Sequence, residues 1–309
     1  MHQLEFRAMA CQMLAALDTN ASEAARWLKD VPAWFAEWER HLSRFQEHSE
    51  LSRLNRRSGQ PVRVSPVLWD VVKVALQAAQ RIHGLVTPTI LDQIELAGYD
   101  RSFERVAQRA EPVDAEPVPT GDWNAVVLSP ATRAVRLPPG VRLDLGGVAK
   151  GWAADQAARH LAARGPALVD AGGDIAVSGP MADGSPWPIA VADPRQPGEQ
   201  IELLLVASGG VATSGRDYRR WKRGETWQHH IIDPRTGRPA ETDVLSATVV
   251  APSAREAEMA AKTAMILGSG DGLRWIEARP WLAALLVTED CGVVRSDRLE
   301  EFVWRAEVV

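Results

Sequence analysis

Cysteine is nearly absent from this chain: among 309 residues only Cys11 and Cys291 carry a thiol, and they stand far apart. That excludes a disulfide framework and a cysteine zinc site. Long apolar runs are missing too, so no segment reaches the roughly 20 residues a membrane-spanning helix needs. No lysine- or arginine-rich block exists. Thirty-five basic residues face 40 acidic ones, for a net charge of −5, which argues against a nucleic-acid surface. The N-terminus has no basic-then-apolar leader. Met9-Ala10-Cys11 faintly resembles a lipoprotein cleavage site, but nothing hydrophobic precedes it. These absences lead to the expectation of a cytoplasmic protein with no nucleic-acid partner and no membrane insertion.

What is present is a mixture of strand-like and helix-like patterns without steady alternation, which favours α+β over a doubly wound sheet. Residues 4–14 read as an opening strand. Residues 21–45 read as helix, interrupted at Pro32. Ser65-Pro66 starts another helix that runs to Gly84. Residues 101–121 are rich in proline, charge and alanine, and are expected to be a mobile excursion. Strand-like pieces at 167–170 and 175–178 flank the tight turn Ala171-Gly172-Gly173-Asp174. Ser253 with Glu256 forms a capping box for a helix that ends at Gly268. Residues 283–288 and 293–295 read as a closing hairpin. The 12 tryptophans read as core or groove wall.

Chemistry concentrates in Asp144-Leu145-Gly146-Gly147-Val148-Ala149-Lys150-Gly151. Paired glycines let a backbone approach a ligand, and the helix start that follows offers unpaired N–H donors to an anion. A plain strand–turn–helix junction would use the same residues. Gly146 and Gly151 have Walker A spacing, but Trp152-Ala153 follows where Lys-Ser/Thr should stand, so the P-loop reading fails. No GxGxxG follows a first strand, and no HExxH, GxSxG or kinase signature appears. The remaining candidates are small-residue loops beside polar anchors: 170–175, Thr213-Ser214-Gly215 and 229–237. Converging, they would form a cleft rich in backbone donors, suited to a pyrophosphate-bearing ligand.

Seven segments in order resemble the ApbE family of FAD:protein FMN transferases. They are 6–10 ("AMGT"), 49–55 (SELSRLN), Pro88-Thr89, 144–151 ("DLGxIAKG"), 172–175 (GGDI), 212–215 (ATSG) and 230–237 ("HIIDPxTG"). The resemblance covers nearly the whole chain and implies a single ApbE-like domain over 1–309. Its fold would be α+β, T-fold-related, with an FAD-binding cleft. The implied reaction moves FMN from FAD, as substrate, to a threonine hydroxyl of an acceptor flavoprotein and releases AMP. By position, Met9 and Phe45 would lie beside the flavin. Ala97, Gly98, Tyr99 and Asp144 would contact the nucleotide, with Lys150 and the backbone at Ile231 completing the site. His230 would help deprotonate the acceptor, and Asp144 is the second candidate catalytic residue. The alternatives are an FAD-binding protein without transfer, and an FAD pyrophosphatase giving FMN and AMP.

The family pattern breaks at its metal. The resemblance implies Mg²⁺ held by a backbone carbonyl at Gly147 and by an aspartate and a threonine on the late helix. Counting back from Gly268 puts Glu258 and Lys262 in those two slots. A glutamate could still reach a cation, whereas a protonated lysine cannot ligate one. Shifting the register by one brings in Thr263 but loses the carboxylate to Met259. The ungapped register leads to the expectation that Lys262, tethered by Glu258, replaces part of the cation's charge.

Overall fold

The computed structural model describes residues 1–106, 116–217 and 219–305. By internal contacts the chain divides into two compact units. One comprises 1–35, 150–215 and 242–309, and the other 36–149 and 216–241.

The first unit is built on an eight-stranded sheet. Its strands are β1 (His2–Ala8), β2 (Cys11–Leu17), β3 (Ala167–Ala171), β4 (Asp174–Val177), β5 (Gly209–Gly215), β6 (Val244–Ala251), β7 (Ala283–Thr288) and β8 (Val293–Arg295). They lie in chain order, each antiparallel to its neighbour. One face carries a core of Leu168, Val211, Val250, Leu285 and Val287, packed with Trp187, Ile189 and Val191 of a two-stranded hairpin. Helices α1 (Ala149–Ala162) and α2 (Ala254–Glu277) follow in the same unit, with α2 lying along β5 and β6. The central strands are therefore buried on both faces, which removes the polar–apolar alternation that would mark them in sequence.

The expected single opening strand is a hairpin. Met9 (φ 48°) and Ala10 (φ 58°) turn the chain between β1 and β2. Positive φ at both turn positions suits the twist of two-residue hairpins, but the usual glycine or asparagine is missing, and with it the sequence signal. Each such residue costs about 1–2 kcal/mol. Ala10→Gly is therefore expected to raise unfolding stability by about 1 kcal/mol, read as a higher urea midpoint. A lower midpoint would contradict this account of the turn.

Other expected boundaries hold, although helix resumes after the expected stop at Gly268 and runs on to Glu277. Ser253 accepts from the Glu256 N–H at 3.4 Å to cap α2, and Gly268 (φ 84°, ψ 171°) breaks that helix. Gly172 and Gly173 turn β3 into β4 at φ 69° and 92°. Thr213-Ser214-Gly215, read as loop, is strand: it ends β5 and pairs with β6.

In the second unit, a three-stranded sheet orders Pro61–Arg63, Ala134–Arg136 and Val127–Ser129. The Pro66–Arg81 helix begins under its Ser65 cap. A separate cluster gathers Ile90, Ile94, Ala97, Tyr99, Trp221 and Ile232. Of the expected excursion at 101–121, residues 107–115 lie outside the described residues. Its near end forms the short Phe103–Val106 helix. Its far end is anchored by Gln93, whose Nε2 donates to the carbonyls of Val118 (2.9 Å) and Pro119 (2.7 Å).

Candidate functional site

In the first unit, four charged side chains from three elements meet. Lys150 is the second residue of α1, Asp174 opens β4 after the glycine turn, and Glu258 and Lys262 lie one helical turn apart on α2. Close backbone approach brings them together. A Cβ at Gly151 would fall 2.7 Å from Arg255 Cα, and one at Gly210 would fall 2.2 Å from Ala254 N. Only glycine lets α1 and β5 come this near the start of α2. Asp155 of α1 then accepts from the N–H groups of Ala254 (2.9 Å) and Arg255 (3.3 Å), satisfying donors that the helix start leaves open.

The result is an interlocked cluster. Lys262 Nζ donates to Glu258 Oε1 at 2.9 Å, and the Gly151 N–H donates to Glu258 Oε2 at 3.0 Å. Lys150 Nζ donates to Asp174 Oδ2 and stands 3.9 Å from Glu258 Oε1. The carboxylates are the buried ends, with side chains 1% exposed at Asp174 and 0% at Glu258; Lys150 and Lys262 retain 18% and 14%. Burial works to lower the Lys150 pKa, but the charges of Asp174 and Glu258 overcome it and hold the ammonium above its usual range. Burial followed by the charge of Glu258 pushes Asp174 up to about 7, against the pull of Lys150 and Lys262. Glu258 goes the other way: burial would raise it, and the charges of Lys262 and Lys150 keep it below the usual glutamate range. Of the two carboxylates, Glu258 is the firmer anion.

This donor set does not fit the divalent cation that the family positions imply. The Lys262 ammonium already sits on Glu258 Oε1, where it would repel a second cation, and it has no lone pair to offer a metal. Among the described residues no three or more histidine, cysteine, aspartate or glutamate side chains group to hold an ion. Thr263 offers no substitute: five residues on from Glu258 it leaves the i,i+4 face that Lys262 shares with that carboxylate, and its buried hydroxyl donates to the Met259 carbonyl at 2.9 Å.

The second unit holds most of the remaining candidates. Asp144 Oδ2 pairs with Arg44 Nε at 2.7 Å, and Oδ1 accepts the Gly146 N–H at 2.8 Å. The Arg44 guanidinium lies over Phe45 (4.0 Å) and Tyr99 (4.6 Å), whose rings are 5.4 Å apart. The segment ahead of Asp144 is fixed by Asn55, which exchanges two hydrogen bonds with the Leu143 backbone (2.8 and 2.9 Å). The Asp144 N–H donates to the Pro88 carbonyl at 2.8 Å. Two motif segments, 49–55 and Pro88-Thr89, thus support the loop that carries a third. Gly147 lies in the turn that precedes α1. Ala97 accepts from Trp221 Nε1 at 2.9 Å, and Gly98 (φ 102°) leaves no room for a Cβ beside Trp221 and Arg223. Ile231 spends its backbone internally: its N–H donates to His229 Nδ1 and its carbonyl accepts from Ala240. Met9 belongs to the first unit, where it forms part of the β1–β2 turn.

His230 is half-buried, whereas its neighbour His229 is buried. His229 Nε2 donates to the Ala240 carbonyl at 3.1 Å while Nδ1 accepts from Ile231, so the neutral ring is wired into the backbone. Burial, helped by the charge of Arg216, pushes His229 down to about 4. In the unfolded chain a histidine takes its proton near pH 6.5. Between those values the unfolded state binds more protons, so this group's contribution to stability falls as pH drops from about 6.5 toward 4. His229→Gln is expected to flatten that part of the pH dependence of Tm. Equal slopes in variant and parent would contradict the assignment.

Compared with known proteins, residues 9–286 match the ApbE family. The chain belongs to the ApbE family. The FAD:protein FMN transferase of Treponema pallidum is 30% identical, covering 91% of this chain and 82% of the relative. That of Salmonella typhimurium is 32% identical over 74% and 67%. Among solved structures, the ApbE protein of Thermotoga maritima superposes with a TM-score of 0.86 at 25% identity, covering 98% of this chain and 99% of that one. The flavin transferase ApbE of Vibrio cholerae gives 0.79 at 26%, over 97% and 99%. The ApbE fold is thus that of the whole chain, and the mixed α+β expectation stands.

Sequence reasoning assigned no role to Asp155 and Asp174 in the charged cluster of the first unit, or to Arg44 beside Asp144 in the second. Asp174 had a signal, since it closes the Gly172-Gly173 turn. Arg44 and Asp155 had none beyond their charge.

Proposed function

We propose that this chain is an FAD:protein FMN transferase acting on a threonine hydroxyl of an acceptor flavoprotein. The observation that carries the reading is its membership of the ApbE family over 9–286, with relatives that bear this activity as their name. One match running through both compact units supports treating them as a single functional domain.

In this reading the acceptor oxygen attacks the phosphorus on the FMN side of the pyrophosphate. The bond to the bridging oxygen breaks, AMP leaves, and FMN remains as a phosphoester on the acceptor. The hydroxyl proton passes to a base, for which His230 is the candidate. Phosphoryl transfer of this kind depends on positioning and on neutralising charge at the phosphoryl oxygens. Lys150 and Lys262, whose ammonium ends are the outward part of the charged cluster, are suited to that second task. The family's magnesium has no fitting donor set here, so no step is assigned to it.

The test is incubation with FAD and a candidate acceptor domain, followed by intact mass and chromatography of the nucleotides. The expected result is one FMN added per acceptor with matching AMP release, lost when the acceptor threonine is replaced by alanine. AMP release with unmodified acceptor would replace this reading with FAD hydrolysis. Neither product with any acceptor would remove the enzymatic assignment.

A further inference from the structure

We propose that Lys262 is the cation of the phosphate seat in this protein, and that it binds FAD without a divalent metal. The proposal rests on the flavin reading above and deepens it.

Four features of the cluster carry it. First, Lys262 occupies the place where a metal would have to sit to use Glu258: its Nζ is already 2.9 Å from Glu258 Oε1. A cation bound there would have to displace an ammonium from a carboxylate with no solvent-exposed side chain. Second, the other Glu258 oxygen accepts from the Gly151 N–H, which fixes the carboxylate's orientation and keeps Oε1 on Lys262. Third, polarity is ordered. The carboxylates form the fully buried end and the two ammoniums the partly exposed end, so an anionic ligand meets positive charge first. Fourth, Lys262 has donors to spare. An ammonium carries three N–H groups, and among the described residues Glu258 is the hydrogen-bond acceptor found for it. The i,i+4 tether fixes the long side chain before ligand arrives, lowering the ordering cost of binding. Lysine supplies one charge where a magnesium ion supplies two, and Lys150 stands as a second ammonium in the same cluster.

Fluorescence titration with FAD, on flavin-free protein in EDTA and in millimolar MgCl₂, tests this, paired with calorimetric titration of MgCl₂ alone. The expected result is one FAD affinity in both buffers and no stoichiometric Mg²⁺ binding. Lys262→Thr is expected to weaken FAD binding in EDTA by roughly ten- to a hundredfold, the effect of losing a charge-assisted hydrogen bond; Lys262→Arg should retain most of the affinity. A tenfold or larger drop in parent affinity on adding EDTA would overturn the proposal. So would one Mg²⁺ per chain lost in Glu258→Gln, or unchanged affinity in a folded Lys262→Thr. No FAD binding by the parent in either buffer would sink the flavin reading itself, and the two failures are thereby distinct.

Discussion

Glu258→Gln is expected to destabilise the protein by about 3–5 kcal/mol, the cost of stripping one partner from a buried ion pair. The substitution keeps size and shape but removes the negative charge that holds Lys262 and stands 3.9 Å from Lys150. Two ammoniums would then share the cluster with Asp174 alone. The penalty arises from the uncompensated charge rather than from a lost contact, so a second substitution should relieve it. Glu258→Gln/Lys262→Met, which removes the stranded ammonium, is expected to recover a substantial part of the loss in urea unfolding. Additive losses in the double variant would show that the two side chains are energetically independent and would contradict the cluster described here.

Gly210→Ala is expected to cost about 1–3 kcal/mol or more, as overpacking does when backbone stands in the way. The new methyl would fall 2.2 Å from Ala254 N and 2.4 Å from Ala254 Cα, at the first residue of α2. No flexible side chain can swing aside, so the helix start must move off β5. Because Glu258 is one turn further along, FAD binding should weaken together with stability. Gly151→Ala presses on the same segment at 2.7 Å from Arg255 Cα and should behave alike. Gly179→Ala is the control: its methyl meets nothing within 4 Å, and a change within about 0.5 kcal/mol is expected. Equal midpoints for Gly210→Ala and Gly179→Ala would refute the close-approach argument.

Much of this architecture was legible where local chemistry is strong. The Ser65-Pro66 helix start, the Ser253–Glu256 box, the break at Gly268 and the Gly172-Gly173 turn each follow from a cap or a glycine and appear as expected. The failures have physical causes. Met9-Ala10 turns the chain without a turn residue, because the register of β1 on β2 holds both residues at positive φ. Thr213-Ser214-Gly215 read as loop, yet they end a strand, 209–215, whose glycine and alanine let α2 lie against it. The tether between Glu258 and Lys262 could be anticipated from their i,i+4 spacing on one helix. Its burial beside Lys150 and Asp174 could not, since those residues lie more than 80 positions away in sequence and meet only through the sheet and the two glycine contacts. Arg44 is the clearest case of missing information. Nothing in Ser43-Arg44-Phe45 announces that the guanidinium will bridge Asp144 and two aromatic rings.

In the proposed FAD complex the pyrophosphate rests on Lys262, held by buried Glu258, in place of a metal. A crystal structure of the FAD complex grown in millimolar MgCl₂ tests it most directly. Lys262 Nζ is expected within hydrogen-bonding distance of a pyrophosphate oxygen, still tethered to Glu258, with no octahedral ion beside that carboxylate. A magnesium ion coordinated by Glu258, with Lys262 turned away from the phosphates, would contradict it.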